Sequence, residues 1–299
     1  MKYIEKHPIV MIVVGVIGIA LSSIFVKFSD APSTVTATWR LLWTVLLMTP
    51  VVFGKKAVRQ ELLHAGKKCV LLSCLSGLFL ALHFATWFES LQHTSVASST
   101  SIVCTEVIWV ALGFCLFMKG KISGKAVVTI GVTFAGSLMI AWSDSMAGGA
   151  HLYGDVLALI AAVVVAVYTL LGREVRNYAS TTVYTYLVYT SCTVVLLIFC
   201  AVQGYRLEDS SLSAVIVGLL LAVFSTIMGH SVFSWCLKFF SPSFVSASKL
   251  CEPVVAAIFA ALLFREIPSL LQILGGIVII GGVYYYSRLE RGKSEQPRG

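Results

Sequence analysis

Residues 242–264 read PSFVSASKLCEPVVAAIFAALLF, and residues 95–117 read SVASSTSIVCTEVIWVALGFCLF. Each run is long and apolar enough to cross a hydrocarbon core of roughly 30 Å, which takes about 20 helical residues. Each carries one acidic residue near its middle, Glu252 and Glu106, set 146 residues apart. A charge at mid-membrane costs roughly 2.5–3.5 kcal/mol on insertion scales, so it faces a partner or a wet cavity. Two such glutamates at matched places in two apolar segments are the first sign of a repeated membrane protein.

The rest of the chain agrees. Of its 299 residues, 58% are hydrophobic and 12% charged, and the mean hydropathy is +0.91. A soluble domain carries roughly 25% charged residues; half that number cannot cover a water-facing surface. Apolar blocks predict ten spans, at 8–28, 33–53, 68–90, 95–117, 123–142, 153–172, 179–203, 211–236, 242–264 and 268–287. Pro8, Pro242 and Pro268 suit first-turn positions, where a missing N–H costs little. Ser123 and Asp155 suit helix starts. The first apolar run lacks a small-residue cleavage site and reads as a span, not a removable leader. With the N-terminus in the cytoplasm, seventeen of the 22 Lys and Arg fall in cytoplasmic segments. Only Lys27, Arg206 and Arg265 fall outside, which places both termini inside. The net charge of +8 is this loop bias, without the aromatic interleaving of a nucleic-acid surface. The eight cysteines form no C-x-x-C pair and read as small buried hydrophobes.

Sliding the chain by 146 residues brings Lys27 onto Arg173, Thr34 onto Ser180, Glu106 onto Glu252, Lys119 onto Arg265 and Gly136 onto Gly282. Within one or two residues, His83 meets His230 and Trp87 meets Trp235. The expected fold is therefore an all-α integral membrane protein of ten transmembrane helices in two inverted five-helix repeats, 1–146 and 147–288, with a basic cytoplasmic tail over 289–299. An odd number of spans per repeat reverses the second copy, a plan common in secondary transporters that bind substrate near the midplane.

Charged residues inside spans mark the candidate site: Arg40, Glu106, Lys249 and Glu252. Lys249 and Glu252 are three apart and share a helix face, with Ser248 alongside. Pro253 frees a carbonyl one turn earlier. In the fourth span Ser95, Ser99, Glu106 and Trp109 share a face, with Ser98, Ser101 and Thr105 beside it, so both helices face a central cavity. The cations would meet a carboxylate or phosphate; the acids would meet an ammonium or carry a proton. The plainer reading pairs Lys249 with Glu252 and Arg40 with Glu106 to hold helices together. His83 and His230, each near a Trp (Trp87, Trp235), offer a proton relay or simple interhelical hydrogen bonds. Trp39, Trp43 and Tyr168 suit a pocket wall or plain packing. Gly15, Gly18, Gly275, Gly276, Gly281 and Gly282 suit close helix contacts. There is no G-x-S-x-G, H-E-x-x-H or Walker A sequence, so no catalytic, cofactor or ATP site is expected.

Glu252-Pro253-Val254-Val255, Phe264-Arg265-Glu266, Gln272, Gly275-Gly276 and Gly281-Gly282-Val283 resemble the EamA-type repeat of the drug/metabolite transporter superfamily, over residues 8 to about 287. The resemblance implies an exporter or exchanger of amino acids and other small metabolites in a bacterial-type inner membrane. Glu266 matches an acidic residue of that family between the last two spans, whereas the first half has Lys119-Gly120-Lys121 there. The expected partners are a small metabolite, membrane lipids and, in one arrangement open to the sequence, a second copy as a homodimer. The competing readings are efflux of lipophilic cations, which favours the two glutamates over Lys249, and a membrane enzyme or lipid-handling protein. The last of these lacks a nucleophile or metal cluster.

Overall fold

In lipid every backbone N–H and C=O has to be satisfied within the chain, so spanning segments close on themselves as helices or barrels. A computed structural model describes residues 8–94, 96–145, 152–264 and 269–294, and among them there is helix and no strand. The helices are α1 (Pro8–Val26), α2 (Ser33–Gly54), a short α3 (Lys56–Leu63), α4 (Lys67–His93), α5 (Val96–Val103), α6 (Glu106–Phe117) and α7 (Gly124–Ser145). They continue as α8 (Leu152–Val175), α9 (Thr181–Val202), α10 (Leu212–Leu220), a π-helical stretch (Leu221–Ser231), α11 (Val232–Cys236), α12 (Pro242–Lys249), α13 (Glu252–Phe264) and α14 (Leu270–Ser294).

Among the described residues, seven helical stretches are long and apolar enough to cross a membrane, at 8–26, 33–54, 67–93, 99–117, 152–175, 181–202 and 212–236, and shorter apolar stretches lie at 124–139 and 273–286. Three features depart from uniform spans. The runs 95–117 and 242–264 are each broken, at Cys104–Thr105 and at Leu250–Cys251. The run 211–236 widens into the π-helix. The last helix reaches Ser294, into the stretch expected as a tail. Pro268 and residues 295–299 lie outside the described residues.

Helix starts follow their local chemistry. Ser180, Ser211 and Ser241 each accept a hydrogen bond from a backbone N–H of the first turn, and Pro242 occupies the opening turn of α12. Ser123 Oγ accepts from Ala126 N at 3.3 Å, as a cap does. Asp155 instead accepts from Thr94 Oγ1 at 2.8 Å and ties α8 to the end of α4. Within the helices, Thr38, Thr44, Thr133 and Thr193 each donate to the carbonyl four residues back. Such bonds let a hydroxyl sit in an apolar interior without an unmet donor.

Two apolar clusters form the interior. One gathers α2, α4, α8 and α9 around Phe84, Tyr184 and Tyr189. The other gathers α1, α6, α7, α12 and α14 around Val107, Phe244 and Ile279. Large apolar side chains such as Leu46, Leu71, Val128 and Ile277 face outward, as lipid solvation allows. Helices approach closely where glycine permits. A Cβ on Gly77 of α4 would lie 2.5 Å from the Val188 carbonyl oxygen of α9, and one on Gly18 of α1 would lie 2.6 Å from that of Phe224. Gly136 and Gly282, at equivalent places in the two halves, both sit where α7 crosses α14. Gly281 meets open space and contributes no such contact.

The Gly77→Val variant is expected to lose about 1–3 kcal/mol, the usual cost of overpacking, read as a lower unfolding temperature in detergent. Gly131→Ala, with nothing within 4 Å, is expected to lose no stability and to gain up to about 1 kcal/mol, since alanine is the better helix former.

Candidate functional site

The two helix breaks build the site. At the first, Thr105 N bonds Ile102 O at 3.0 Å and Ile108 N bonds Thr105 O at 2.9 Å. At the second, Leu250 N bonds Ala247 O at 3.1 Å and Cys251 N bonds Ser248 O at 3.2 Å. These i→i−3 bonds tighten the turn and re-aim the helix that follows. The breaks are 146 residues apart, and a glutamate opens the next helix each time: Glu106 is the first residue of α6 and Glu252 of α13. Pro253, the second residue of α13, has no N–H to place there.

Lys249 is the last residue of α12, and its Nζ donates to both Glu106 carboxylate oxygens, at 2.8 and 3.0 Å. Both side chains are largely buried, at 11% and 6% exposure. Helix geometry favours this placement, since an anion is stabilised at a helix N-terminus and a cation at a C-terminus. Thr169 Oγ1 of α8 donates to Glu106 at 2.9 Å, and Lys249 Nζ lies 5.6 Å from the centre of the Phe233 ring. The ion pair therefore joins residues 106 and 249 from the two halves of the sequence. It is neither the Lys249–Glu252 pair that helical spacing suggests nor a pairing of Arg40 with Glu106.

Arg40, on α2, is fully buried. Its Nε donates to Thr226 Oγ1 at 2.7 Å and its Nη1 to Ser22 Oγ at 3.3 Å. The guanidinium lies over Phe84, 4.1 Å from the ring centre. Thr226 sits within the π-helical stretch and donates in turn to the Leu221 carbonyl, five residues back, at 3.3 Å. The wider helix thus positions the hydroxyl that receives Arg40. His83 and Ala161 O are joined through Nδ1 at 3.0 Å, so that nitrogen carries the proton. Trp87 stacks on the His83 ring with centres 5.8 Å apart, and the His83 and His230 rings lie edge-on at 6.4 Å.

These groups enclose one cavity of about 40 Å³. That is space for about three waters at the customary 10–15 Å³ each. Arg40, His83, Trp87, Glu106, His230, Lys249 and Glu252 line it, together with Ser22, Thr100 and Val103. Among the described residues Glu252 makes no hydrogen bond or ion pair. Three residues singled out from the sequence lie elsewhere. Ser99 accepts from Ser90 Oγ at 2.8 Å, Ser248 donates to Phe244 O at 2.9 Å, and Trp39 donates to Ser210 Oγ at 2.9 Å beside Trp43. Tyr168 lines a smaller neighbouring cavity with His230 and Lys249. Trp109 turns to the outer surface. Ser95 and Glu266 lie outside the described residues, as does the side chain of Ser98. Sequence reasoning missed Ser22, Thr100 and Thr226. Ser22 was visible as a hydroxyl in an apolar span, whereas Thr100 sits about 120° from Glu106 on an unbroken helix.

The chain matches the EamA-like transporter family over residues 7–142 and again over 152–288. It is 25% identical over 252 residues to an "Uncharacterized transporter" of Archaeoglobus fulgidus, covering 83% of this chain and 85% of that protein. It is 26% identical over 280 residues to "Uncharacterized transporter YxxF" of Bacillus subtilis, covering 93% and 87%. A solved crystal structure superposes with a TM-score of 0.76 at 14% identity, covering 97% of this chain and 99% of that one; the likeness is one of fold.

Removing one member of a buried ion pair costs about 3–5 kcal/mol, because the other charge is left uncompensated. Glu106→Gln and Lys249→Met are each expected to lower the unfolding temperature strongly. The double variant is expected to lose less than the sum of the two, measured as a double-mutant cycle in detergent.

Proposed function

The chain belongs to the EamA-like transporter family and is a multi-pass membrane transporter, not an enzyme, and from that premise we propose that it exports or exchanges small polar metabolites such as amino acids. In this reading the ten spans form two inverted five-helix repeats, over 1–146 and 147–288, in a plasma (inner) membrane with both termini cytoplasmic. The cargo occupies the central cavity, and the halves rock about it between inward-open and outward-open forms.

One observation carries the proposal: the Glu106–Lys249 pair joins two equivalent broken helices beside a cavity that both halves line. Discontinuous helices that present their ends to a polar cavity are how transporters hold charged cargo at membrane depth. The two family matches, one per half, and the helix breaks 146 residues apart support the repeat. The wall holds two cations and two carboxylates, Arg40, Lys249, Glu106 and Glu252, which suits a cargo that carries both signs. The chain carries no Walker A sequence, so in this reading the cargo's own gradient or a proton drives the cycle. Glu252 and the two histidines are the groups able to hold that proton.

A second reading has one specific support. Lys249 is engaged by Glu106, which leaves Glu252 in the wall without a cationic partner among the described residues. A lone carboxylate in an aromatic-lined cavity suits a lipophilic cation.

Counterflow in proteoliposomes separates the two. Labelled amino acids and organic anions are expected to exchange, with at least tenfold loss in Glu252→Gln and Lys249→Ala. Exchange of tetraphenylphosphonium with no response to amino acids would replace the first reading by the second.

A further inference from the structure

Three buried polar atoms in the cavity wall have no hydrogen-bond partner among the described residues: Arg40 Nη2, Trp87 Nε1 and Thr100 Oγ1. Arg40 is 0% exposed, Thr100 4% and Trp87 5%. Buried donors in native proteins are nearly always satisfied, and each exception calls for an explanation. The guanidinium and indole nitrogens can only donate, and the hydroxyl can also donate. Three unmet donors around one cavity ask for a group rich in acceptors.

We propose that this corner of the cavity is a carboxylate subsite, in which a carboxylate group of the cargo accepts from Arg40 Nη2 and Trp87 Nε1, with Thr100 alongside. The inference deepens the transporter reading, on which it rests, by choosing between the two cations of the wall. Lys249 already gives its ammonium to both oxygens of Glu106. Among the described residues Arg40 hydrogen-bonds to two hydroxyls, Thr226 and Ser22, and to no carboxylate. These two bonds and the Phe84 ring beneath hold the guanidinium plane in place, so little freedom remains to be lost when an anion arrives. A planar carboxylate fits a guanidinium edge better than it fits a point-like ammonium.

Charge selects a carboxylate over a phosphate. With Glu106 neutralised by Lys249, the wall retains one cation, Arg40, and one acid, Glu252. A dianion would meet Glu252 with its second charge unmatched. Size agrees: a cavity of about 40 Å³ takes a carboxylate headgroup, while the rest of the cargo waits on opening of the halves.

The test measures binding and does not depend on transport. Purified full-length protein is titrated with sodium propionate, propionamide, sodium phosphate and sodium chloride at matched ionic strength, and the unfolding temperature is followed. Propionate alone is expected to raise it with saturation. The half-maximal concentration is expected to rise about tenfold in Trp87→Phe and in Arg40→Lys, each of which loses one donor. Equal responses to propionate, propionamide and chloride would overturn the subsite, as would a propionate response untouched in Trp87→Phe. Saturable stabilisation by phosphate alone would overturn the carboxylate assignment. If Arg40→Lys does not fold, the ligand series on the parent protein and on Trp87→Phe still decides. Propionate binding without counterflow would sink the transport reading and leave the subsite standing; counterflow of carboxylates without propionate binding would do the reverse.

Discussion

The contact between Lys249 and Glu106 sets the terms for the rest of the molecule. Two full charges in a low-dielectric interior persist only when they touch and when further dipoles support each of them. The fold meets this by ending one helix at Lys249 and starting another at Glu106. The negative end of α12 then faces the ammonium and the positive end of α6 the carboxylate. Breaking a helix in the apolar interior exposes backbone groups, and these are met by the tightened i→i−3 turns. The polar cavity follows, because side chains at broken ends cannot close the space as two continuous apolar helices would.

The two glutamates occupy equivalent places yet differ in company. Glu106 is held by Lys249 and Thr169, while Glu252 stands in the wall without a partner among the described residues. The residue equivalent to Lys249 in the first half is Val103, also in the cavity wall. Lys249 therefore bonds one of two acids set 146 residues apart, and this inequality gives the centre of the molecule a polarity. Arg40 adds a second cation from a different helix, positioned by the π-helical turn that carries Thr226. A π turn adds one residue to the helix circumference and so shifts which side chains face inward.

The all-helical membrane class was legible because its signals are local. Apolar run length and prolines at helix starts are each read within a single segment. The offset of 146 residues was legible because Glu106 and Glu252 are costly in lipid and so stand out from their surroundings. What escaped was set by tertiary contact. Pro253 announced a disturbance near residue 250, but nothing comparable marks Cys104–Thr105. Helical spacing offers only a neighbour three or four residues away, so it pointed Lys249 to Glu252, whereas the observed partner is 143 residues distant. Trp39 and Ser248 were credible as site residues by type; Ser248 instead bonds Phe244 O one turn back, and Trp39 bonds Ser210, 171 residues away.

The central claim is that this cavity is a passage reached in turn from each side of the membrane, not a sealed structural core. Site-directed labelling at Val103 tests it most directly. Val103 lines the cavity and makes none of the ionic contacts. A Val103→Cys variant, in a chain whose eight native cysteines are replaced, would be exposed to a membrane-impermeant thiol reagent in right-side-out and in inverted vesicles. The account predicts labelling from both sides, with the two rates shifting in opposite directions when a transported solute is added. Protection from both sides, in protein shown to be folded, would contradict it and leave the charged cluster as a device that only holds helices together.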